Sequence, residues 1–122
     1  MKKKSRVLPL KKSSLFQEVF EKGKTFSSEK VLLKASFSKL AGDNVFLGYA
    51  VANHPSFSAV KKNRIKRLLK NGVYKSLSFI DRKVPSGFFV LSFVGNFTPS
   101  SQGLFKSVSS AFKKAASSPH NT

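Results

Sequence analysis

One segment of the sequence, residues 58–80, predicts a helix that is apolar along one side and cationic along the other. On a helical wheel the apolar group lies together and consists of Ile65, Leu69, Gly72, Val73, Ser76 and Ile80, flanked by Leu68 and Phe79. The opposite side carries Asn63, Lys66, Arg67, Lys70 and Tyr74, with Arg64 at its margin. Such a helix must cover its apolar side with another layer of structure, and Gly72 is where we expect it to weaken or divide.

Shorter patterns on both sides of this segment predict a small sheet. Apolar residues alternate over residues 30–37 and again over residues 45–52, with turn residues at 39–44 between them. A further strand is predicted at residues 88–94, after a loop of Pro85, Ser86 and Gly87.

Two more helices complete the pattern. Ser13 or Ser14 can cap a helix that ends at Lys22, with Gly23 as its stop. Residues 98 and 99 (Thr-Pro) mark the start of a last helix, whose apolar stripe is Leu104, Val108, Ala111 and Ala115. The order helix, strands, helix, strand, helix predicts an α+β fold with helices layered on a small sheet.

Charge is distributed very unevenly over the sequence. There are 23 lysines and arginines against five acids, which gives a formal net charge of +18. The stretches 44–80 and 82–122 contain no carboxylate at all. Because a field of one sign repels itself, such a surface implies a polyanionic partner, and nucleic acid fits better than an anionic membrane or an acidic protein.

The length and composition indicate one domain. We expect residues 1–12 to be a flexible basic arm, residues 13–116 a single nucleic-acid-binding α+β domain, and residues 117–122 a polar tail. The chain has no cysteine, which excludes disulfides and thiolate metal sites and suits a reducing cytosol. Its apolar runs are far shorter than the roughly 20 residues that span a bilayer, so we expect a cytoplasmic protein with no membrane partner.

Residues 61–70 (KKNRIKRLLK) are the strongest candidate for the contact with the polyanion. The side chains expected to bind it are Lys61, Lys62, Asn63, Arg64, Lys66, Arg67 and Lys70. No acid in the helix pairs with these cations, and several lie at its N-terminal end, where the helix dipole disfavours positive charge. Phosphates would relieve both costs and accept bonds from backbone amides there. Two plainer interpretations stay open, a solvated basic face and a capping role for Asn63.

The sequence gives no support for bond chemistry by the chain itself. Its acids are scattered, whereas a two-metal nuclease site needs carboxylates that converge. They are Glu18, Glu21, Glu29, Asp43 and Asp81. His54 and His120 have no paired acid within sequence reach, so we read them as incidental surface residues. We therefore expect no catalytic residue and no metal ligand in this chain.

Residues 59–70 (AVKKNRIKRLLK) closely resemble the Arg-Asn-Arg segment of the protein component of bacterial ribonuclease P. The surroundings extend the resemblance: residues 10–23 (LKKSSLFQEVFEKG) are similar to the opening helix of that family, and residues 48–52 (GYAVA) to its central strand. Residues 88–93 and the last helix fall where the family has its final strand and helix. Lys62 stands where the family usually has arginine, and Asn53-His54-Pro55 stand where it usually has two basic residues.

The resemblance implies a fold of about four strands packed by three helices, with an unusual left-handed βαβ crossover that leads into the basic helix. This is the ribonuclease P protein-like, or ribosomal protein S5 domain 2-like, fold. The general preference for right-handed crossovers would predict the opposite hand.

The resemblance also implies the function, which is that of the protein subunit of the ribonuclease P ribonucleoprotein. In that role the chain binds the catalytic RNA through the basic helix and assists the endonucleolytic removal of the 5′ leader of precursor tRNA. The catalytic centre and its Mg²⁺ ions belong mainly to the RNA. The implied partners are the catalytic RNA and precursor tRNA, with no membrane and no protein partner required.

The leader is expected to bind in a cleft between the first helix and the sheet. In the family pattern Phe16 and Phe20, one turn apart, line this cleft, and Lys34 and Ser36 lie on the strand face opposite Val31. Single strands are held by aromatic stacking over a basic groove. Phe16 and Phe20 can also be simple core residues, and the two interpretations are compatible.

Two other functions would also account for a strongly basic chain. A structural ribosomal RNA-binding protein would be equally basic and similar in plan, but it would not require the phenylalanine pair of the first helix. A cationic membrane-active protein would need a wide apolar helix face opposite its charge, and here the wheel assigns that face to the core.

Overall fold

The structure, a computed structural model, describes residues 6–51, 58–94 and 101–117. Within these residues the chain forms five strands and four helices, in the order β1 (Val7–Pro9), α1 (Ser13–Lys22), β2 (Lys24–Ser28), β3 (Val31–Phe37), β4 (Val45–Val51), α2 (Ala59–Lys75), α3 (Leu77–Lys83), β5 (Gly87–Phe93) and α4 (Ser101–Ser117). A short 3-10 helix, Lys39–Ala41, and Gly42 make the turn between β3 and β4. Gly42 has a φ of 64°, a left-handed conformation that favours glycine.

The strands form one mixed sheet in the order β1-β4-β5-β3-β2. The central strand, β5, is parallel to β4 and antiparallel to β3. Because α2 and α3 lie between β4 and β5 in the sequence, they form the crossover that joins two parallel neighbours. The α+β architecture expected from the sequence is confirmed.

The main core lies between one face of the sheet and the helices α2, α3 and α4. Alternate strand residues point into it, and the fully buried ones include Leu33, Leu47, Phe89 and Leu91. The helices contribute the apolar side predicted for residues 58–80 and the predicted stripe of the last helix, namely Ile65, Leu69, Val73, Ile80, Leu104, Val108, Ala111 and Ala115. Each large side chain buried here stabilises the fold by roughly 1.5–3 kcal/mol, which holds α2 against the sheet despite its charge.

The other face of the sheet carries α1. The helix ends at Lys22 and Gly23 follows it, as predicted, but it begins at Ser13 after an N-cap residue, Lys12, whose side chain makes no capping bond. The Ser13 or Ser14 cap expected from the sequence is therefore wrong. Val19 is the buried residue of α1. The phenylalanines Phe16 and Phe20 lie beside it on the helix surface.

The described sheet has one strand more than the four expected. The sequence pattern locates three of the five strands, β3, β4 and β5, and does not indicate β1 or β2. β1 pairs with β4 in parallel through Val7 and Val45, so residues 7–9, assigned above to a flexible basic arm, belong to the sheet. Residues 1–5 of that arm lie outside the described residues, as do residues 118–122 of the polar tail, Asn53-His54-Pro55, and the helix start expected at residues 98 and 99.

The long helix predicted for residues 58–80 is two helices, and the division falls at Ser76 instead of Gly72. Gly72 lies inside α2 and is buried against α4: a Cβ atom there would come 3.3 Å from Cγ2 of Val108. The glycine is therefore explained by the close approach of two helices and not by a weak point in one of them.

Candidate nucleic-acid interface

The basic helix α2 begins with a side-chain cap. The backbone N–H of Lys61 donates to Oγ of Ser58 at 3.3 Å, which satisfies one of the free donors of the first turn. Asn63 lies further along the helix and is exposed, so Ser58 takes the capping role that was left open for Asn63.

The residues expected to bind the catalytic RNA lie together on the outer surface of α2. All of them are exposed except Lys62, which is partly buried; they are Lys61, Lys62, Asn63, Arg64, Lys66, Arg67 and Lys70. The buried residues Ile65 and Leu69 fix the rotation of the helix, because they are completely inaccessible and interleave with the cations in sequence. Packing of α2 on the core therefore holds its positively charged side outward in a fixed orientation.

The second expected surface lies on the opposite face of the sheet, where Phe16 packs on Gly48. A Cβ atom at position 48 would come 2.8 Å from Cδ2 of Phe16, closer than real Cβ contacts allow. Gly48 thus lets the ring lie directly on β4. The sequence pattern places Gly48 in the central strand and gives no sign that it belongs to the site.

Phe20 and Lys34 are brought together as expected. Phe20 is 45% exposed, and the Lys34 ammonium lies 5.5 Å from the centroid of its ring. This is the distance of a cation–π contact, and it places a positive charge beside an accessible aromatic surface. Phe16 is half-buried and Phe20 exposed, so Phe20 is not the plain core residue that the alternative interpretation described.

An open cleft of about 500 Å³ runs beside these rings. It is lined by Ser13, Phe16, Gln17, Phe20, Glu21 and Ala50. The amide of Gln17 donates to the Glu21 carboxylate at 3.2 Å along the outer edge. Ala50 is at the sheet side of the cleft, one row of the sheet beyond Gly48.

Neither Lys34 nor Ser36 lines this cleft directly, but Lys34 borders it through its contact with Phe20. The pairing register places Ser36 opposite Phe88, in the same row as Phe46, whereas Lys34 is opposite Val90 in the row of Gly48. The rings of Phe46 and Phe88 stack with their centroids 5.5 Å apart and their planes at 18°. This half-buried pair is a feature of the same sheet face that the sequence analysis missed, because no local pattern relates residues on separate strands.

The acids do not gather into a metal site in the described part of the chain. No group of three or more histidine, aspartate or glutamate residues there could hold a metal ion. Asp81 instead accepts a bond from the backbone N–H of Arg6 at 3.0 Å. The described residues therefore offer no cluster of ligands that fits a Mg²⁺ ion.

In the described ranges, no helix is both long enough and apolar enough to cross a membrane.

A strongly basic α+β domain with an exposed cationic helix and an aromatic cleft defines the class of the protein as RNA-binding. The family model of ribonuclease P matches residues 1–116. The chain belongs to the ribonuclease P family and is the protein subunit of the ribonucleoprotein enzyme that processes the 5′ ends of tRNA. Its partners are the ribonuclease P RNA and precursor tRNA, and the catalyst of this family is RNA-based and generally uses metal ions.

Solved structures of bacterial ribonuclease P proteins share the fold at low sequence identity. The protein of Staphylococcus aureus gives a TM-score of 0.70 at 18% identity, over 88% of this chain and 94% of that one. The protein of Thermotoga maritima gives 0.69 at 17% identity, over 86% of this chain and 97% of that one. Among curated protein sequences, none is similar enough to this chain to count as a match.

Proposed function

We propose that the chain uses two separate surfaces in ribonuclease P, one for each RNA. The observation that carries this proposal is their placement: α2 packs on one face of the sheet, and the cleft of Phe16 and Phe20 lies on the other. One RNA can therefore occupy the helix while a second occupies the cleft, without competition for the same side chains.

The surface of α2 is proposed to bind the catalytic RNA. Its contacts are the side chains named from the sequence, Lys61, Lys62, Asn63, Arg64, Lys66, Arg67 and Lys70. Folded RNA presents closely spaced phosphates, and α2 offers cations with no carboxylate among them. If about six phosphates are neutralised, the affinity should fall steeply with salt, with a logarithmic slope of roughly −5.

The cleft is proposed to bind the 5′ leader of precursor tRNA. Phe20 supplies an accessible ring on which a base can stack, Phe16 forms the wall, and Lys34 meets a phosphate. Ser36 lies outside the cleft in the row of Phe46 and Phe88, so we propose that it contacts the leader only where the strand leaves the cleft.

The catalytic centre is proposed to use Mg²⁺ held by the RNA, since the acids of this chain do not converge on a site within its described residues. The role of the protein is then to hold the leader and the catalytic RNA in register. The absence of cysteine from the sequence supports action in the cytoplasm. A purely structural ribosomal role would leave the exposed Phe20 and its cleft without a purpose.

The experiment that tests this proposal is reconstitution with the cognate catalytic RNA at low Mg²⁺. The purified protein should accelerate cleavage of precursor tRNA, and it should do so more for a substrate with a full leader than for one with a shortened leader. Equal cleavage with and without the protein would overturn the proposal. If the acceleration does not depend on leader length, the proposal that the cleft binds the leader is wrong.

Substitution of the basic surface separates the two halves of the proposal. Arg64→Ala combined with Arg67→Ala should weaken binding of the catalytic RNA by at least tenfold, because two phosphate contacts are lost. Lys39→Ala combined with Lys113→Ala is the matched control, since it removes the same charge from exposed positions on other elements. If both double variants bind equally well, the contact lies elsewhere than α2.

A further inference from the structure

Tyr74 is an aromatic residue exposed on the basic helix. Its side chain is 73% exposed, although its neighbour in sequence, Val73, is buried in the core. Tyr74 lies one turn beyond Lys70 and two turns beyond Arg67, so these side chains share one stripe of α2. A ring in this position adds nothing to the core.

The ring of Tyr74 borders a groove between α2 and the edge of the sheet. The groove has a volume of about 260 Å³ and is lined by Val7, Tyr49, Lys70, Val73, Tyr74 and Leu77. Val7 belongs to β1, so the pairing of residues 7–9 with β4 supplies one wall of this groove.

Lys70 supplies the positive charge among the described residues that line the groove. Its ammonium lies 5.6 Å from the centroid of the Tyr49 ring. This cation–π contact holds the positive charge at the edge of the groove. The Tyr49 hydroxyl is neutral at physiological pH, as a tyrosine with the ordinary pKa of about 10 already is, so it does not compensate this charge. An apolar groove with one cation at its edge suits a flat, weakly polar group attached to a phosphate.

We propose that this groove binds one unpaired nucleotide of the catalytic RNA, with its base stacked on Tyr74 and its phosphate on Lys70. The inference rests on the proposed function of α2 and goes beyond it, because it assigns an unstacked base where the basic surface alone requires only phosphates. Paired RNA hides its base faces, whereas bulges and loops turn them outward onto aromatic side chains.

The occupant is assigned from charge and shape. A protein partner would have to bring acidic groups to a surface already committed to RNA, and a lipid would need a wider apolar face than one tyrosine and one groove. A nucleotide matches all three elements, namely ring, groove and cation, and it belongs to a molecule that the helix is proposed to hold in any case.

The test measures the affinity of the catalytic RNA for Tyr74 variants across a range of salt concentrations. Tyr74→Ala should weaken binding about tenfold, because one base–aromatic stack is lost, and it should leave the salt dependence unchanged. Tyr74→Phe should bind like the parent protein. Lys70→Ala should instead reduce the logarithmic salt slope by about 0.9, because one phosphate contact is lost.

The outcomes distinguish this inference from the function on which it rests. If Tyr74→Ala binds like the parent while Arg64→Ala with Arg67→Ala binds weakly, the nucleotide site is wrong and the RNA-binding helix stands. If all these variants bind like the parent, the assignment of α2 itself fails. Tyr74 is exposed, so its loss should not unfold the protein, and circular dichroism of each variant verifies this.

A second measurement locates the nucleotide. Acylation of 2′-hydroxyl groups in the catalytic RNA, with and without protein, should show an unpaired nucleotide that the parent protein protects. Tyr74→Ala should restore its reactivity, and Lys39→Ala should not. Identical reactivity with the parent and Tyr74→Ala would contradict the proposal whatever the affinities are.

Discussion

The ring of Phe16 fills the space that a side chain at position 48 would occupy, since a Cβ atom on Gly48 would come 2.8 Å from Cδ2 and 2.9 Å from Cε2 of that ring. This relationship lets the Phe16 ring lie directly on β4. The wall of the cleft therefore depends on a residue that has no side chain of its own.

The first prediction concerns Gly48. Gly48→Val should displace the Phe16 ring and weaken leader binding, with a loss of roughly 1–3 kcal/mol in folding stability from overpacking. Because Gly48 is on the face of the sheet away from α2, the affinity for catalytic RNA should not change. Competition between precursor tRNAs with full and shortened leaders measures the effect. Unaltered preference for the full leader would show that the Phe16 wall does not contribute.

The second prediction concerns the exposed ring of Phe20. Phe20→Ala should reduce affinity for a leader-bearing substrate by roughly 1–3 kcal/mol, the value of one base stacked on an aromatic side chain. Stability should change little, since the ring is 45% exposed. Leu40→Ala is the matched control, because Leu40 is an apolar residue with 90% exposure on the 3-10 helix. Equal leader affinity in the two variants would contradict the stacking role.

The main architecture could be predicted from the sequence because it follows local periodicity. The apolar side of α2 and the stripe of α4 repeat at helical spacing, and β3 and β4 alternate at strand spacing, so each pattern appears within one short window. The same wheel that assigned Ile65 to the core assigned Arg67 to the surface. For this reason the basic face of the candidate site was predictable as well.

The elements that were missed depend on pairing between distant segments. β1 spans three residues and ends at Pro9, and β2 (KTFSS) carries Phe26 as its apolar residue, so neither shows a pattern of its own. The division at Ser76 and the stack of Phe46 on Phe88 are likewise set by tertiary packing. The cleft and the groove beside Tyr74 are bordered by such elements, which is why the sequence predicted site residues better than site shape.

The third prediction concerns the anchor of β1. The guanidinium of Arg6 donates at 2.9 Å to the backbone carbonyls of Asp81 and Val84, at the C-terminal end of α3, and its Nε donates to the carbonyl of Asp43. Arg6→Ala should lower the free energy of unfolding by about 2 kcal/mol, since charged hydrogen bonds to partly buried carbonyls are lost.

The control for Arg6 is Lys39→Ala, which removes one charge from an exposed position. In a chain of net charge +18, loss of a positive charge alone should stabilise slightly, so the two variants should change in opposite directions. Chemical denaturation measures both. Equal stabilities would mean that the hydrogen bonds of the Arg6 side chain do not stabilise the fold and that pairing with β4 is enough to hold β1 in the sheet.

The last prediction concerns alkaline pH. Burial raises the pKa of Tyr49 from its ordinary value of 10 to about 12. Above pH 10 the unfolded chain releases this proton while the folded chain keeps it, so the free energy of unfolding should fall as the pH rises towards 12 and then stop falling on account of this group. The loss should be roughly 2 kcal/mol. Tyr49→Phe should remove this part of the pH dependence, whereas Val51→Ala, which truncates a half-buried side chain on the same strand, should lower stability and retain it.

Chemical denaturation of the parent and both variants at neutral pH and across the alkaline range measures the difference. If Tyr49→Phe and the parent lose stability in parallel above pH 10, Tyr49 does not account for the alkaline loss, and its hydroxyl is accessible to water in the folded chain.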